Sequence, residues 1–281
     1  MSKRKKTNVD SEENDDSDMS LVDIDFDFFG PDPEVDYLAI KRLATQLLSN
    51  DAEKFPVHDL ADLILAQPLV GTAVKCDGKE SDPYAFLTVL NIHVHQARPF
   101  IKALIEYVLS KSSSDSTLHG TLHNLLGPAG LQSQNHVGFV FSERLINMPV
   151  QIKPPMYRML NEEIRMALEE NEPYRFTHLL FISRIYRLTP EEASEMYSRA
   201  PRSKRTKGAP PPTEGGVFPF HQEDEVIRKF AIHTLDYSFT NTEPREKDSF
   251  GLDVGGRMML VPADKLPQII VALNEEFPPP S

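Results

Sequence analysis

Hydrophobic residues recur along the chain with two periods, and the pattern predicts about seven strands interleaved with six helices. Strict alternation marks residues 21–29, where one face carries Val22, Ile24, Phe26 and Phe28 and the other carries Asp23, Asp25 and Asp27. Further strands are predicted at 70–77, 85–94, 136–142, 175–187, from about 229 to 240, and at 257–262. Helical spacing covers 33–48, 57–65, 100–109, a segment ending at 126, 156–168 and 266–273.

The order of these elements predicts an α/β (α+β) fold with a mixed, twisted central sheet flanked by helices. The segments 70–77 and 85–94 are joined by a polar, turn-rich connection and predict a hairpin. The second of them is apolar at nearly every position, as expected for a strand that is covered on both faces. The segment 175–187 is apolar enough to be a central strand.

Charge and composition divide the chain into three regions. Residues 1–20 are predicted to be a disordered tail, with a basic cluster followed by an acidic one, and residues 21–277 to be a single domain. Within it, 189–216 is predicted to be a flexible loop rich in Pro, Gly and basic residues. Residues 1–36 hold four bases and twelve acids, 4 − 12 = −8, so they carry most of the net charge of −12.

The two charged features at the N-terminus each allow two interpretations. The cluster Lys3, Arg4, Lys5 and Lys6 resembles a nuclear import signal, but it is also consistent with a solvated tail. The carboxylates of Asp23, Asp25 and Asp27 either protect an edge strand from pairing with other chains or wait for a cationic partner.

Candidate chemistry is sparse, and no catalytic residue, metal site or cofactor is predicted. His119 and His123 are four residues apart but lack the glutamate of a zinc hydrolase, and His93 and His95 share one predicted strand face without a third ligand. The single cysteine, Cys76, permits no internal disulfide. Two glycine motifs that bind nucleotides, G-x-x-x-x-G-K-[ST] and G-x-G-x-x-G, are both missing from the sequence. No apolar run is long enough to span a membrane. The N-terminus lacks the apolar stretch of a secretory signal.

The bases between 199 and 207 suggest at most non-specific phosphate contact, because no aromatic residue lies among them for base stacking. A solvated loop is the simpler interpretation, so no specific nucleic acid is predicted.

The stretch SERLINMPVQIKPPMYRMLNEEI at 142–164 resembles the central signature of the BCCIP/Bcp family. The matching positions are Ser142, Glu143, Arg144, Asn147, Pro149, Pro155, Met156 and Tyr157. The resemblance extends over roughly residues 21–110, 136–188 and 225–277. The tail and the basic loop do not match in detail.

Local chemistry predicts that this stretch is a rigid connection from a strand to a helix. Ser142 is expected to cap a short turn, Pro154 and Pro155 to start the helix, and Arg144 and Asn147 to hold the turn through backbone groups. Inward-pointing side chains are expected at Leu145, Ile146 and Met148. A structural hinge and a partner-binding surface both remain open, and in the second case Arg144 and Asn147 join Asp23, Asp25 and Asp27 as contact candidates.

The resemblance implies a fold similar to the GNAT-type N-acetyltransferases, but without their [QR]-x-x-G-x-[GA] turn for the cofactor pyrophosphate. It implies a non-enzymatic chaperone for a basic ribosomal protein of the large subunit, acting in ribosome biogenesis, protein transport and nuclear export. Implied partners include a phosphoinositide kinase and nuclear transport factors, and the implied location is nucleus and cytoplasm. The alternative hypothesis is a divergent N-acyltransferase that uses acetyl-CoA.

Overall fold

Eight strands and eight α-helices make up the fold in the computed structural model, which describes residues 25–199, 216–240 and 252–278. The strands are β1 Asp27–Phe29, β2 Thr72–Lys75, β3 Ala85–Asn91, β4 Val137–Arg144, β5 His178–Leu188, β6 Gly216–Pro219, β7 His233–Ser238 and β8 Asp253–Pro262. The helices are α1 Tyr37–Leu48, α2 Val57–Leu65, α3 Pro99–Lys111, α4 Ser116–Leu126, α5 Lys153–Glu169, α6 Pro190–Arg199, α7 Glu223–Arg228 and α8 Leu266–Glu276.

The strands form one sheet in the order β1-β2-β3-β4-β5-β8-β7, and β6 pairs with β5 outside this path. Every pairing is antiparallel except that of β4 with β5. The sheet is therefore open, mixed and mostly antiparallel, which confirms the predicted fold class and the predicted β2–β3 hairpin. The likeness to GNAT-type acetyltransferases stays a prediction.

A separate hydrophobic core covers each face of the sheet. Helices α1 to α4 contribute to the first core, which holds Phe86 and Leu90 of β3. Helices α5, α7 and α8 contribute to the second, which holds Leu87 and Val89 of the same strand. Because alternate side chains of β3 enter opposite cores and the whole strand is buried, its continuous apolar pattern is explained.

Several elements differ from those predicted, mostly where charged residues take part in regular structure. Strand β4 continues through Glu143 and Arg144, two residues past the predicted end at 142, and both pair with β3. Within the predicted loop at 189–216, Pro190–Arg199 is a helix, with Pro190 in the first turn and Glu191 and Glu192 beside its positive end. The loop prediction is therefore wrong for that part.

Three further differences concern single features. Helix α1 begins at Tyr37 rather than near Pro33, because residues 33–35 form a turn. His93 and His95 lie in the turns after β3, not on a strand, since Asn91 ends the strand and its Oδ1 accepts the backbone N–H of His93. The strand predicted from about residue 229 begins at His233, and the short helix α7 precedes it.

Several predictions fall outside the described residues. They are those for Asp23, for Lys3, Arg4, Lys5 and Lys6, for the tail at 1–20, and for the basic positions from 200 onward.

Candidate functional site

One end of the sheet gathers the N-terminus of β1, the β2–β3 connection and the turn that follows β4. The register places Asp27 opposite Lys75 on β2, Val74 opposite Ala85 on β3, and Ala85 opposite Arg144 on β4. We call this region, comprising residues 25–27, 76–84 and 145–148, the acidic end. It brings the predicted contact candidates Asp25, Asp27 and Asn147 to the same side of the fold.

The acidic end exposes more carboxylates than bases. Its exposed acids are Asp25, Asp27, Asp77, Glu80 and Asp82. The nearby bases, Arg42 and Lys79, are taken by ion pairs at 3.4 Å to Asp82 and 3.5 Å to Asp32.

Cys76 reports the proximity of two of these acids. Burial raises the pKa of its thiol, and the carboxylates of Asp77 and Asp27 raise it further. A negative field at this end therefore reaches across β1 and β2, and it favours a cationic partner.

The turn after β4 presents an apolar side chain beside these acids. Ile146 is 68 % exposed and Asn147 is exposed next to it, whereas Met148 is buried in the second core. The predicted inward position is thus confirmed for Met148 and wrong for Ile146. Leu145 is half-buried, and its N–H donates to the Tyr84 carbonyl at 2.9 Å, which ties the turn to the β2–β3 connection.

Arg144 holds this turn from the inside. Its Nη1 donates to the Met148 carbonyl at 2.7 Å, as the prediction of backbone bonding required. Its Nε and Nη2 donate to the two carboxylate oxygens of Glu223, each at 2.9 Å. A direct contact between Arg144 and a partner stays a prediction. The burial of Arg144 disfavours such a contact.

Beneath the turn, strands β4 and β5 separate and form a crevice. They pair only from Val137 to Val140, opposite His178 to Phe181. Further along β5, strand β6 takes over the vacated edge and pairs with Ile185 to Leu188. The crevice lies at the carboxyl ends of a parallel pair, which is the place where open α/β sheets commonly bind ligands.

Charged side chains of the chain itself fill this crevice. We call them the crevice cluster: Glu143 and Arg144 of β4, Lys153 of α5, Arg184 of β5, and His221, Glu223 and Asp224 at and before α7. They come from four parts of the sequence.

Glu143 is the centre of one half of the crevice cluster. Its Oε1 accepts from Gln46 Nε2 at 2.9 Å, contacts His221 Nε2, and lies 3.4 Å from Arg184 Nη2. Burial acts to raise the pKa of Glu143, but the hydrogen bond to His221 and the charges of His221 and Arg184 outweigh it, so the pKa is lowered.

Ser142 joins the other half of the cluster instead of capping a turn, so that prediction is wrong. Its Oγ accepts from Lys153 Nζ at 2.8 Å and from the Tyr157 hydroxyl at 3.3 Å. Burial lowers the pKa of Lys153, although the carboxylate of Glu223, 3.9 Å from its Nζ, partly opposes this effect.

Two adjacent acids on α7 have pKa values that are shifted in opposite directions. Burial acts to raise the pKa of Glu223, but its hydrogen bond to Arg144 and the charge of Lys153 lower it to about 2. Burial and the neighbouring charge of Glu223 raise the pKa of Asp224 to about 7. The cluster therefore contains one carboxyl group whose pKa is raised toward neutral pH.

The crevice also contains polar atoms without a partner. Among the described residues, five buried side-chain atoms on the diverging strands and the segment between them lack a hydrogen bond: Glu143 Oε2, Ser183 Oγ, Arg184 Nε, His221 Nδ1 and Asp224 Oδ2. Such atoms are commonly satisfied by internal water.

The histidines noted in the sequence have ordinary structural surroundings. The ring of His93 stacks on that of His136 at 4.8 Å, and His119 Nδ1 lies 3.1 Å from both Ser112 Oγ and the Leu109 carbonyl oxygen. Across the described ranges, no group of three or more His, Cys, Asp or Glu is placed to hold a metal ion. Over the same ranges, every helix is too short or too polar to cross a bilayer.

Sequence patterns alone did not identify the crevice cluster. A usable signal was present, however: charged residues interrupt otherwise apolar strands at FSER and SRIYR, and three acids open a helix at EDE. Because charges are rarely buried unless they are paired, these sites together indicated a buried ion network.

Fold and site together define a mixed α/β protein with an exposed acidic end and an ion-filled crevice behind it. Residues 21–227 match the BCCIP family. The chain is 41 % identical over 282 residues to "Protein bcp1" of Schizosaccharomyces pombe, covering 95 % of this chain and 98 % of that one. It is 39 % identical over 275 residues to "Protein BCP1" of Gibberella zeae, covering 95 % and 91 %.

A solved structure supports the same assignment. The crystal structure of BCP1 from Saccharomyces cerevisiae superimposes with a TM-score of 0.61 at 27 % identity, over 93 % of this chain and 92 % of that one. The chain belongs to the BCCIP family, which confirms the resemblance found in the signature at 142–164. The family description and the relatives' names denote no enzymatic activity.

Proposed function

We propose that this chain is a non-enzymatic binding protein that chaperones a basic protein of the large ribosomal subunit. The proposal includes a role in ribosome biogenesis, protein transport and nuclear export, with residence in both nucleus and cytoplasm. Association with a phosphoinositide kinase and with nuclear transport factors belongs to the same proposal. KRKK at residues 3–6 is the proposed import signal.

The acidic end is the observation that carries the proposal. Asp25, Asp27 and Asp77 are exposed, and no ion pair to them occurs within the described residues. A ribosomal protein must bury many lysines and arginines against RNA, so before assembly it exposes a cationic surface. Carboxylates that lack intramolecular partners can neutralise such a surface without breaking contacts of their own.

The exposed Ile146 supplements this charge. Electrostatic attraction at exposed sites is modest and screened by salt, so acids alone give a weak complex. An apolar side chain on a turn fixed by Arg144 adds a contact that salt does not screen. We therefore expect the client to contact both Asp27 and Ile146.

The test is co-expression of the full chain with individual basic proteins of the large subunit, scored by the soluble fraction of each client. Neutralising the acidic end with Asp25→Asn, Asp27→Asn and Asp77→Asn should reduce the soluble client. A matched variant carries Asp62→Asn, Glu106→Gln and Glu275→Gln, which remove the same charge from exposed positions on α2, α3 and α8. It should retain the client.

Affinity of the purified complex at two salt concentrations supplies the second measurement. We expect weaker binding at high ionic strength for the wild type and a smaller salt effect for the neutralised variant. Equal loss of client in both triple variants, or an affinity independent of salt, would reject electrostatic capture at this end.

The competing hypothesis of an N-acyltransferase is less well supported. The carboxyl end of the β4–β5 pair is occupied by His221, Glu223 and Asp224 of the chain itself. Acetyl-CoA at millimolar concentration should therefore leave the melting temperature unchanged, whereas a rise of several degrees would favour the enzyme.

A further inference from the structure

The geometry points to α7 as a proton-dependent latch: the helix packs against α8 and is paired to β4, α5 and β8 while the Asp224 carboxyl carries a proton, and this packing weakens when that proton leaves. The inference does not rest on the proposed function. It concerns the crevice cluster and can be tested without any client.

Three consecutive acids begin α7, and two of them have dedicated cations. The two carboxylate oxygens of Glu223 accept hydrogen bonds from Nε and Nη2 of Arg144. Glu225 contacts Arg257 of β8 and lies 2.7 Å from the Nε of Arg228. These pairs fix the two flanks of the helix start, so the carboxyl group between them has little freedom to move.

Asp224 lies between these pairs without a cation of its own. It is buried, and its Oδ2 has no hydrogen-bond partner within the described residues. The nearest basic side chain on α5, Lys153, already contacts Ser142 Oγ and Glu223.

The charged groups that act on Asp224 lie on β4, on α5 and around the start of α7. Helix α8 also packs on α7, and its buried residues are apolar. His221 and Lys153 favour its ionised form, whereas burial, Glu223 and Glu143 disfavour it more strongly. On the same side, Arg144 is engaged by Glu223 and the Tyr157 hydroxyl faces Ser142. A proton on Asp224 removes a charge that this arrangement does not neutralise.

The sign of the linkage follows from the raised pKa of Asp224, which is about 7 in the seated helix against an ordinary value of 3.8. The contribution of the proton to seating is complete below pH 3.8 and is lost as the pH rises to about 7. In that interval the equilibrium constant for release of α7 should rise by up to about tenfold per pH unit.

Release of α7 should also affect the exposed turn after β4. Arg144 binds Glu223 on one side and the Met148 carbonyl on the other, so loss of Glu223 frees the guanidinium that fixes the turn. The exposed turn with Ile146 and Asn147 therefore shares a positioning residue with the latch.

The test is amide hydrogen exchange of the full chain between pH 5.5 and 7.0, expressed as protection factors so that base catalysis is removed. Residues 223–228 should lose protection by up to about tenfold per pH unit in the wild type, with a smaller slope near pH 7. Asp224→Asn, which keeps the shape but cannot ionise, should show nearly constant protection. The control Asp62→Asn, at an exposed position on α2, should behave like the wild type.

A pH dependence that persists in Asp224→Asn would come from another group and would overturn the assignment. An NMR titration of the Asp224 carboxyl carbon in the wild type requires no variant: a midpoint near 7 supports the latch, and a midpoint near 4 overturns it. Neither measurement involves a client, so the latch and the chaperone function can fail separately.

Discussion

The acidic end and the crevice cluster lie within a few strands of each other and contain the same types of charged residue. They differ in how far these residues are exposed to water, and this difference gives them opposite roles. At the acidic end the Arg42–Asp82 pair has side chains that are 52 % and 57 % exposed. In the crevice the Arg144–Glu223 pair is 6 % and 2 % exposed. Water screens the first pair, whereas the second has lost its hydration and depends on its partner.

This difference assigns the two regions to different tasks. Exposed carboxylates cost little to leave unpaired, so they remain available to a partner. Buried charges are destabilising when one member of a pair is removed, so they fix the positions of the segments that carry them. In this chain they fix α7 and the turn after β4, which come from parts of the sequence 79 residues apart.

The largest expected effect is the loss of a buried partner. Arg144→Met keeps much of the side-chain volume but leaves the Glu223 carboxylate buried without its bidentate donor. We expect the free energy of unfolding to fall by about 3–5 kcal/mol in urea denaturation.

The matched change at the acidic end is Arg42→Met, which breaks the exposed pair with Asp82. It should cost less than about 1 kcal/mol. If the two variants lose similar stability, the contrast between the regions is wrong.

The second effect is a dependence on acid. The pKa of Glu223 is lowered to about 2 from 4.5, so its stabilisation is complete above pH 4.5 and is lost as the pH falls toward 2. The loss should be on the order of 3 kcal/mol. Glu223→Gln is expected to start with lower stability at pH 6 and to lose less than the wild type on acidification.

Urea denaturation at pH 6, 4 and 3 measures this dependence. Glu169→Gln is the control, because Glu169 forms an exposed pair with Arg165 on α5. It should follow the wild type at each pH. Parallel curves for Glu223→Gln and the wild type would show that the ion pair does not carry the acid sensitivity.

A smaller effect is expected at the exposed turn. Ile146→Ser removes an apolar side chain that the fold does not bury, so the free energy of unfolding should change by less than about 0.5 kcal/mol. Client affinity should nevertheless fall by about 1–2 kcal/mol, because the side chain becomes buried only in the complex.

Isothermal titration with the captured client tests this prediction. Val271→Ser on α8 removes another exposed apolar side chain and serves as the control. Unchanged affinity in Ile146→Ser would remove the turn from the binding surface.

The smallest effect concerns a single surface acid. Asp27→Asn should leave the free energy of unfolding within about 0.5 kcal/mol, since Asp27 is exposed on an edge strand. Its signature should be kinetic: a lower association rate with the client at low salt, and little difference at high salt.

Stopped-flow association at two ionic strengths gives the comparison, with Asp62→Asn as the neutral reference. A faster dissociation rate as the main change would instead indicate that Asp27 forms a close buried contact in the complex.

Much of the fold could be predicted because it depends on local periodicity. The buried strand β3 was visible as a continuous apolar run, and the face of α1 that carries Ile40, Ala44 and Leu47 was visible as a pattern of period 3.6. The extension of β4 through Glu143 and Arg144 was not visible, because burial of their charges depends on His221 and Glu223, almost 80 residues later.

The candidate site, like the fold, was predictable from the sequence only in part. Exposure of Asp25 and Asp27 was predictable from alternation on an edge strand, since polar residues opposite apolar ones face water. The inward prediction for Ile146 was wrong because hydrophobicity alone does not state which side of a turn faces the core.

By itself, the sequence determined the family, the α/β class, the faces of the main helices and the acidic character of the edge strand. Each of these depends on residue type and spacing, which are properties of the linear chain. Only the tertiary structure decided which charges are buried, which partners neutralise them, and that the pKa of Asp224 is raised while that of Glu223 is lowered. The physical reason is that a pKa and the strength of an ion pair depend on hydration and on neighbours in space, and folding sets both.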